Sequence, residues 1–243
     1  YGERVFFLSL LENVGFGRAN NEGIKIAKGK NVFLLNPDTI LLNNAVKILS
    51  EFLDNHINVA ICGGNLYTKE LEPIHSYLMY LPSLYSEVDQ LFGERLSFRR
   101  YGNNLFFNHT EKPLNVGYVT GADMMIRKSV LDEAGYFDPD FFMYFEETEL
   151  TFRIRKMGYD VMSVPDARII HLEGQSVQLK EYRENMFLQS RRLYLRKTSR
   201  SRIIFLLCQI IYGINALIHV VYFSSFRKER ELLKIWKYRL KNF

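Results

Sequence analysis

Short, unbroken apolar runs separated by turns and helical segments constrain the fold of this sequence most. Residues 32–35 and 59–62 are two such runs. Continuous apolar runs of this length are typical of strands that are buried on both faces, as in parallel sheets. Between them, residues 44–55 place apolar side chains at helical spacing after a suitable N-cap, Asn43 or Asn44. The pattern therefore predicts a strand, a helix and a strand.

The same alternation recurs along residues 1–179. Further strands are predicted at residues 5–10, 115–120, 160–165 and 167–171. Because proline cannot donate to a ladder, the strand that contains Pro165 is expected at a sheet edge. Helices are predicted in the segment that ends at Gly29, over residues 128–134 and from Glu146 onwards. Repeats of this size indicate an α/β domain with an open, mostly parallel sheet flanked by helices.

Polar side chains follow two of the predicted strands. Asn36-Pro37-Asp38 comes directly after the run at 32–35, and His171 ends the last predicted strand. Ligands of open α/β sheets bind at the carboxyl edge of the strands. Asn-Pro-Asp is also a common turn, and a single histidine at a strand end is often only hydrogen-bonded. Both a ligand site and a structural role are compatible with these residues.

Three carboxylates, Glu146, Glu147 and Glu149, lie within four residues behind an aromatic run. Adjacent acids repel, and a helix N-terminus, a metal or a cationic partner makes this repulsion tolerable. First helical turns commonly carry acids, so this window alone is equally compatible with an ordinary helix start. Asp38 and His171, both at strand ends, favour the interpretation as a catalytic site.

Gly15 and Gly17 lie in a turn between a predicted strand and a predicted helix, which is an arrangement that can bind phosphate. The third glycine of the dinucleotide-binding pattern is missing, so a dehydrogenase is not favoured. Residues 65–113 are rich in aromatic side chains and contain Pro73 and Pro82. This segment is typical of variable loops and short helices, and it could also shape an acceptor pocket.

Five segments resemble, in this order, the motifs of one enzyme family. They are Asn13-Val14-Gly15-Phe16-Gly17 with Ala19-Asn20-Asn21 and Gly23, Leu35-Asn36-Pro37-Asp38, Gly121-Ala122 with Met124, Gly135 with Phe137-Asp138 and Phe141-Phe142-Met143-Tyr144-Phe145-Glu146-Glu147, and His171 with Gly174 and Ser176. Together they are similar to family-two inverting glycosyltransferases of the GT-A fold, and especially to the rhamnosyltransferase-like branch that builds bacterial surface polysaccharides. The resemblance spans roughly residues 5 to 180.

The resemblance implies a nucleotide-diphosphate sugar donor, a divalent cation (Mn²⁺ or Mg²⁺) and direct displacement at the anomeric carbon. Asp38 stands in the Asp-x-Asp-like position and, with His171, is implied as a metal ligand. Donor-binding residues are implied at these positions: Asn13, Gly15, Gly17, Asn20, Asn36 and Asp38. Acceptor-binding residues are implied at Gly121 and Ala122.

Glu146 and Glu147 are implied as the catalytic pair, because they stand where the family has Glu-Asp. Glu147 is implied as the general base that takes the proton of the acceptor hydroxyl, an effect worth roughly 10² to 10⁴ in rate. Here Glu replaces the usual Asp, and one extra methylene displaces a positioned carboxylate. The family also opens with a strand, a helix and a strand, which predicts that this GT-A-like domain is N-terminally truncated. The alternative is a catalytically inactive remnant or scaffold at the membrane.

The C-terminal part of the chain differs sharply in charge from the rest. Residues 1–179 carry 17 Lys and Arg against 23 Asp and Glu, whereas residues 180–243 carry 15 against 4. Residues 203–223 contain no formal charge and, as a helix, could cross a bilayer core. The more polar side chains recur on one face of that helix, which equally favours a position in the interface or against protein. They are Cys208, Tyr212, Asn215, His219 and Tyr222.

Two domains follow from these observations: a glycosyltransferase-like domain at 1–179 and a basic, membrane-associating helical tail at 180–243. Arginines on both sides of the apolar segment suit anionic lipid headgroups. No nucleic acid partner is expected, because no aromatic-basic motif accompanies the charge. Cys62 and Cys208 predict neither a disulfide framework nor a zinc site. The expected partners are a nucleotide-sugar donor and a glycan or lipid-linked acceptor, at the cytoplasmic face of the bacterial inner membrane.

Overall fold

The computed structural model describes residues 5–172, 180–227 and 229–243. Within these ranges the helices are α1 Phe16–Ile26, α2 Ala45–Asn55, α3 Leu84–Leu91, α4 Arg95–Tyr101, α5 Lys128–Ala134, α6 Glu146–Lys156, α7 Lys180–Thr198, α8 Arg202–Tyr222 and α9 Arg230–Asn242. The strands are β1 Asn31–Leu35, β2 Thr39–Leu41, β3 Val59–Tyr67, β4 Tyr77–Leu78, β5 Leu114–Asn115, β6 Tyr118–Val119, β7 Asp123–Arg127 and β8 Asp160–His171. The predicted α/β class is confirmed.

The central sheet has the strand order β1-β7-β3-β8-β2, and β5 pairs with the first half of β8. The prediction of a mostly parallel sheet is wrong, because β3 and β8 form the one parallel pair among the described strands. The strand β7 runs antiparallel between β1 and β3. An apolar run indicates that a strand is buried, but it does not indicate whether the neighbouring strands run parallel or antiparallel to it. The sheet is therefore mixed.

The two strands predicted on either side of Pro165 form one strand, β8. The prediction that the Pro165 segment lies at an edge is wrong, because β8 lies between β3 and β2. The pairing of β3 with β8 changes register between Gly63 and Asn65, opposite Ser163 and Arg168. Such an irregularity accommodates a proline in the middle of a sheet.

Two further strand predictions differ from the structure. Residues 5–10 form no strand and pair with no described strand, and Phe6, Phe7 and Leu11 are exposed. Residues 115–120 divide between two short strands, because β5 pairs with β8 whereas β6 pairs with β4. The helix predicted after Asn44 is confirmed, and the Asn44 side chain accepts a hydrogen bond from the Lys47 N–H.

A hydrophobic core covers each face of the sheet. On one face, buried side chains of α1, α5 and α6, such as Ile24, Leu131 and Leu150, pack against the strands. On the other face, Leu49 and Leu53 of α2 do the same. Burial of one such side chain contributes roughly 1.5–3 kcal/mol. The two cores fix the sheet edge at which the loops that follow β1 and β8 meet.

The three C-terminal helices pack against the sheet domain. Tyr194 and Leu195 of α7 are buried with Phe141 and with Cys208 of α8. The buried pair Arg191–Glu87 joins α7 to α3 with a separation of 2.6 Å. The predicted polar stripe of α8 therefore faces protein, since Cys208, Tyr212 and Asn215 are buried, although Tyr222 is exposed.

The opposite face of α8 is apolar and exposed. It follows a helical repeat of four and three residues, and its members are Ile203, Leu207, Ile210, Ile214, Leu217 and Val221. Within the described residues, the segment Arg202–Arg227 is the one helix long and apolar enough to cross a membrane. Core helices of soluble proteins also meet this criterion.

Candidate active site

A pocket of about 210 Å³ lies at the sheet edge where β1 ends, β7 begins, β8 ends and α6 begins. Its lining residues are Phe16, Asn36, Thr120, Gly121, Ala122, Met143, Tyr144, Glu146, Glu147 and His171. Six residues singled out from the sequence thus meet around one space, although Asn36 and His171 are 135 positions apart. We call this space the catalytic pocket.

Asp38 lies directly beside the catalytic pocket. The Nε2 atom of His171 is 3.4 Å from the Oδ1 atom of Asp38 and 3.4 Å from the Nδ2 atom of Asn36. Adjacent ligands of an octahedral cation at about 2.1 Å lie about 3 Å apart, so the imidazole and the carboxylate have a spacing that suits a shared metal. No cluster of three or more His, Cys, Asp or Glu side chains that could hold a metal occurs among the described residues.

Two protein ligands match the way in which hard divalent cations bind phosphorylated substrates. Such cations keep several waters and take one or two carboxylates together with substrate phosphates. An imidazole ligand suits Mn²⁺ better than Mg²⁺. Asp38 and His171 therefore fit a cation whose remaining ligands come from a diphosphate and water.

Backbone pairing holds the Asn36-Pro37-Asp38 turn against His171. Thr39 is opposite His171 in the β2–β8 ladder, and the Leu172 N–H donates to the Asp38 carbonyl at 2.9 Å. The Thr39 hydroxyl donates to the Asn36 carbonyl at 2.7 Å. On the other side, the Asn36 N–H donates to the Ala122 carbonyl at 3.0 Å. The antiparallel β1–β7 pair thus brings the predicted donor and acceptor positions together.

The carboxylates Glu146 and Glu147 are the first two residues of α6, and the backbone before them is strained. Tyr144 and Phe145 have φ angles of 68° and 65°, in the left-handed region that non-glycine residues seldom adopt. Such residues cost of order 1–3 kcal/mol each and occur frequently at active sites. Packing holds Phe145 in place, because its ring contacts those of Phe187 and Tyr194.

The two carboxylates have no cationic partner among the described residues. Glu146 is 4% exposed, and its Oε2 atom has no hydrogen-bond partner in the described part of the chain. Burial, together with the charge of Glu147, raises the pKa of Glu146 to about 8. Burial also raises the pKa of Glu147, whose Oε1 atom accepts a hydrogen bond from the Thr148 hydroxyl at 3.2 Å. The pair can therefore hold one proton at neutral pH.

The third acid of the cluster has a structural role. Glu149 accepts two hydrogen bonds of 2.9 Å from the Arg153 guanidinium, one turn further along α6. Arg153 also donates to the carbonyls of Ala134, Gly135 and Tyr136. This network fastens α6 to the end of α5 and leaves Glu146 and Glu147 as the acids that face the pocket.

The glycine-containing segment before α1 contacts the loop that carries the acids. The Gly15 N–H donates to the Asn13 side chain at 3.1 Å, and Phe16 N–H donates to the Phe142 carbonyl at 3.0 Å. Gly15 has a φ of 87°, and a Cβ atom there would lie 2.1 Å from the Phe142 oxygen. Only glycine permits this approach, so Gly15 sets the position of the loop before α6.

Gly17 and Asn20 make similar local contacts. A Cβ atom on Gly17 would lie 3.0 Å from the Phe137 side chain and 3.5 Å from the Cβ atom of Glu146. The Asn20 side chain donates to the Phe16 carbonyl at 3.0 Å. Neither residue lines the catalytic pocket, and neither do Asn13 and Gly15. Their role in donor binding stays a prediction.

Two residues with strong contacts at the site were not predicted individually. Asn21 both accepts from the Phe137 N–H and donates to the Phe137 carbonyl, which ties α1 to the loop before α6. Asp123 is fully buried, its pKa is raised by burial to about 7, and it accepts from the Gly64 N–H at 2.6 Å. Both residues lie within the sequence motifs that resemble the family, and this position could have indicated them. Gly174 and Ser176, the last motif positions, lie outside the described residues.

Comparison with protein families gives a match over most of the chain. The model for "Glycosyltransferase like family 2" matches residues 1–191. The N-acetylglucosaminyl-diphospho-decaprenol L-rhamnosyltransferase of Mycobacterium tuberculosis is 34% identical over 67 residues, which are 28% of this chain and 21% of that protein. The low-salt glycan biosynthesis hexosyltransferase Agl10 of Haloferax volcanii is 25% identical over 191 residues, or 77% of this chain and 58% of that protein. The chain thus spans less than two thirds of these relatives.

Solved structures show the same fold. The crystal structure of GalNAc-T7 with UDP, GalNAc and Mn²⁺ superposes with a TM-score of 0.55 at 15% identity, over 95% of this chain and 42% of that one. At this identity the likeness concerns the fold alone. The expected GT-A-like architecture is confirmed.

Proposed function

The chain belongs to glycosyltransferase-like family 2, and from this premise we propose that it transfers a hexose, with rhamnose favoured, from a nucleotide-diphosphate donor to a glycan or lipid-linked acceptor. The observation that carries the proposal is the catalytic pocket, in which Asn36, Glu147 and His171 line one space beside Asp38. The named activity of the Mycobacterium relative favours rhamnose and a lipid-linked acceptor.

In this proposal Asp38 and His171 hold a divalent cation together with the donor diphosphate. The cation would neutralise charge on the departing diphosphate. Asn36 is within 3.4 Å of His171 and restrains the imidazole. Mn²⁺ is the favoured ion because of the imidazole ligand, and Mn²⁺ accompanies UDP in the structurally similar GalNAc-T7.

Glu147 is the proposed general base. One carboxylate oxygen of Glu147 accepts the proton of the acceptor hydroxyl while the hydroxyl oxygen attacks the anomeric carbon and the nucleoside diphosphate leaves. Burial raises the pKa of both acids, so that the pair holds a proton near neutral pH and one of its two carboxylates stays ionised. In this proposal the shared proton rests on Glu146, which lowers the repulsion on Glu147 when that carboxylate acts as the base. Gly121 and Ala122, on the opposite wall, are the proposed acceptor contacts.

Titration calorimetry tests the proposed donor site. Wild-type protein should bind nucleotide-diphosphate hexoses, a rhamnosyl donor included, in a manner that depends on Mn²⁺. Asp38→Ala should abolish the metal-dependent heat, whereas Asp54→Ala should not, because Asp54 pairs with Lys30 at the opposite end of β1. Donor binding that does not depend on Mn²⁺ would contradict the proposed metal site. Absence of any donor binding would favour the scaffold alternative.

We further propose that the exposed apolar face of α8 rests in the membrane surface, at the cytoplasmic face of the bacterial inner membrane. The apolar residues form a continuous stripe, and Arg200, Arg202 and Arg227 flank it. Basic side chains near an anionic surface contribute about 1 kcal/mol each. A helix with one apolar face and basic ends is suited to lie in an interface.

Vesicle flotation tests this orientation. Wild-type protein should float with vesicles that contain phosphatidylglycerol and less with pure phosphatidylcholine. The double variant Ile210→Ser and Leu217→Ser should reduce flotation, because both side chains are about half exposed on the stripe. Ile57→Ser, at a side chain that is 79% exposed elsewhere, is the matched control. Equal flotation of all variants would contradict the proposal.

A further inference from the structure

A second cavity lies between α3, the loop before α6 and the C-terminal helices, and we call it the tail cavity. Its volume is about 460 Å³, against about 210 Å³ for the catalytic pocket. Ligand sites commonly have volumes of roughly 300–1,000 Å³. Residues from all of these elements line it, including Gln90, Phe145, Arg191, Asn215 and Trp236. No site residue predicted from the sequence is among its lining residues.

Aromatic rings form much of the wall of the tail cavity. Phe145, Phe187 and Tyr212 line it, and the rings of His219 and Trp236 stack with centroids 4.0 Å apart. Sugar rings have an apolar face of C–H groups, which can pack on aromatic planes while the hydroxyls bond to polar groups. The wall therefore has the composition of a saccharide site.

The two arginines that line the cavity are already paired with carboxylates, and Glu94 adds a further acid to its wall. A guanidinium nitrogen of Arg191 lies 2.6 Å from a Glu87 carboxylate oxygen, and Arg191 also stacks over the Tyr212 ring. Arg239 donates to both carboxylate oxygens of Glu184, at 2.6 and 3.1 Å. Because each cation has its own carboxylate, the cavity offers no net positive charge to a phosphate. It favours a neutral ligand that is rich in hydroxyl groups.

Amide groups in the cavity have free hydrogen-bonding capacity. The side chains of Gln90 and Asn215 line it and make no hydrogen bond with any described residue. Asn215 is only 4% exposed, and its main-chain carbonyl accepts from the His219 ring. A side-chain amide both donates and accepts, as does a sugar hydroxyl. Two such groups beside aromatic planes can orient a pyranose.

The tail cavity and the catalytic pocket each share lining residues with an intermediate cavity. Tyr144 lines both the catalytic pocket and an intermediate cavity of about 310 Å³. Phe187 and Arg239 line both that intermediate cavity and the tail cavity. Phe145, which lines the tail cavity, directly precedes Glu146. The tail cavity thus shares part of its wall with the segment that leads into the proposed catalytic acids.

We propose that the tail cavity binds the acceptor saccharide, so that the C-terminal helices form one wall of the acceptor site. This inference rests on the proposed function, and it assigns to the neutral sugar rings of the acceptor a site formed by Gln90, Asn215, Trp236 and their aromatic neighbours. The polar face of α8 then contacts the glycan, and the apolar face of the same helix points away from it.

Fluorescence of Trp236 tests the proposal directly, because the chain contains one tryptophan. The protein is titrated with methyl glycosides of N-acetylglucosamine, rhamnose, galactose and glucose, with lactose and with sodium pyrophosphate. At least one saccharide should change the emission in a saturable manner, and pyrophosphate should not. Neither donor, metal nor turnover is needed, so the titration measures saccharide binding even if no transfer is detected.

Paired variants locate the binding site. Gln90→Leu and Asn215→Leu replace the amides by apolar groups of roughly similar size, and each should weaken saccharide binding by about fivefold. Ile214→Ala, next to Asn215 on the exposed face of α8, should leave the titration unchanged. Circular dichroism identifies variants that fail to fold, and saturation-transfer NMR with the wild type gives an independent measure of binding.

Three results would overturn the proposal. The first is the absence of both an emission change and a saturation-transfer signal for every saccharide in large excess. The second is a response to pyrophosphate alone, which would identify an anion site. The third is a saccharide that binds Asn215→Leu and Gln90→Leu as tightly as the wild type, which would place it elsewhere. Donor binding can succeed or fail independently of each result.

Discussion

The catalytic pocket and the tail cavity use carboxylates in opposite ways. In the catalytic pocket Glu146 and Glu147 are adjacent and have no cation beside them among the described residues, and burial raises the pKa of both. In the tail cavity both lining arginines are paired, Arg191 with Glu87 and Arg239 with Glu184 of the adjoining cavity. The first arrangement keeps acids ready to exchange protons, whereas the second fixes helices and leaves hydrogen-bonding groups for a ligand.

Buried acids therefore have two different effects in this domain, which depend on whether a cation accompanies them. An unpaired buried acid destabilises the fold, and such an arrangement persists where chemistry needs it. A paired buried acid is held by its partner and becomes costly only when the partner is removed. Substitutions in the two regions should therefore affect different observables.

The largest expected effect is on transfer. Glu147→Gln removes the proposed base while keeping the shape of the side chain, and the rate should fall by roughly 10² to 10⁴. Transfer is measured by chromatography of the glycosylated acceptor. Glu149→Gln is the control within the same helical turn, because Glu149 binds Arg153. Equal losses in both variants would indicate that stability, and not chemistry, is affected.

The next largest effect is on the free energy of unfolding, through the buried ion pair at the tail cavity. Arg191→Ala leaves Glu87 buried without its cation, and the free energy of unfolding should fall by about 3–5 kcal/mol. Urea denaturation measures this change. The double variant Arg191→Met with Glu87→Leu should recover much of the loss, because no charge is then buried. Failure to recover would mean that packing of Arg191 on Tyr212 dominates.

A smaller effect concerns the pH dependence of stability that the proposed catalytic acids cause. Because the pKa of Glu146 rises from 4.5 to about 8 on folding, the native state binds more protons between these values. The free energy of unfolding should therefore fall by about 2–4 kcal/mol as pH rises through this range. Glu146→Gln should reduce this fall in urea denaturation curves at a series of pH values, although Glu147 and Asp123, whose pKa values burial also raises, still contribute to it.

The smallest expected effect concerns the second ion pair at the tail cavity. Arg239 and Glu184 have side chains that are 23% and 20% exposed, so water screens their attraction. Arg239→Ala should lower the free energy of unfolding by only about 1 kcal/mol. Thermal unfolding compared with Arg191→Ala measures the difference. A loss as large as that of Arg191→Ala would contradict the distinction between the two pairs.

The elements and the catalytic pocket were predictable where short-range chemistry determines them. The turn at Pro37 ends β1 because proline cannot extend the ladder, and the N-cap Asn44 begins α2. The resemblance of the ordered motifs indicated which turns share one edge, and the structure brings Glu147 and His171 together there. These features depend on a few adjacent residues.

The remaining features depend on contacts between distant segments. Nothing in residues 123–127 specifies that β7 runs antiparallel between β1 and β3, because an apolar run carries no direction. Pro165 predicted an edge, whereas a register change in the β3–β8 pair accommodates it. The tail cavity joins Gln90, Phe145 and Trp236, which belong to separate helices and a loop, so no local pattern indicates it.

The two-sided character of α8 has a consequence for which acceptors can be reached. A helix with its side chains is about 10 Å across. On the proposed membrane orientation, Asn215 would stand roughly one such diameter above the acyl chains that the Ile210 face contacts. The helix would then fix the distance between the bound sugar and the membrane surface. It would favour sugars attached close to their lipid anchor over those carried at the far end of a long polymer.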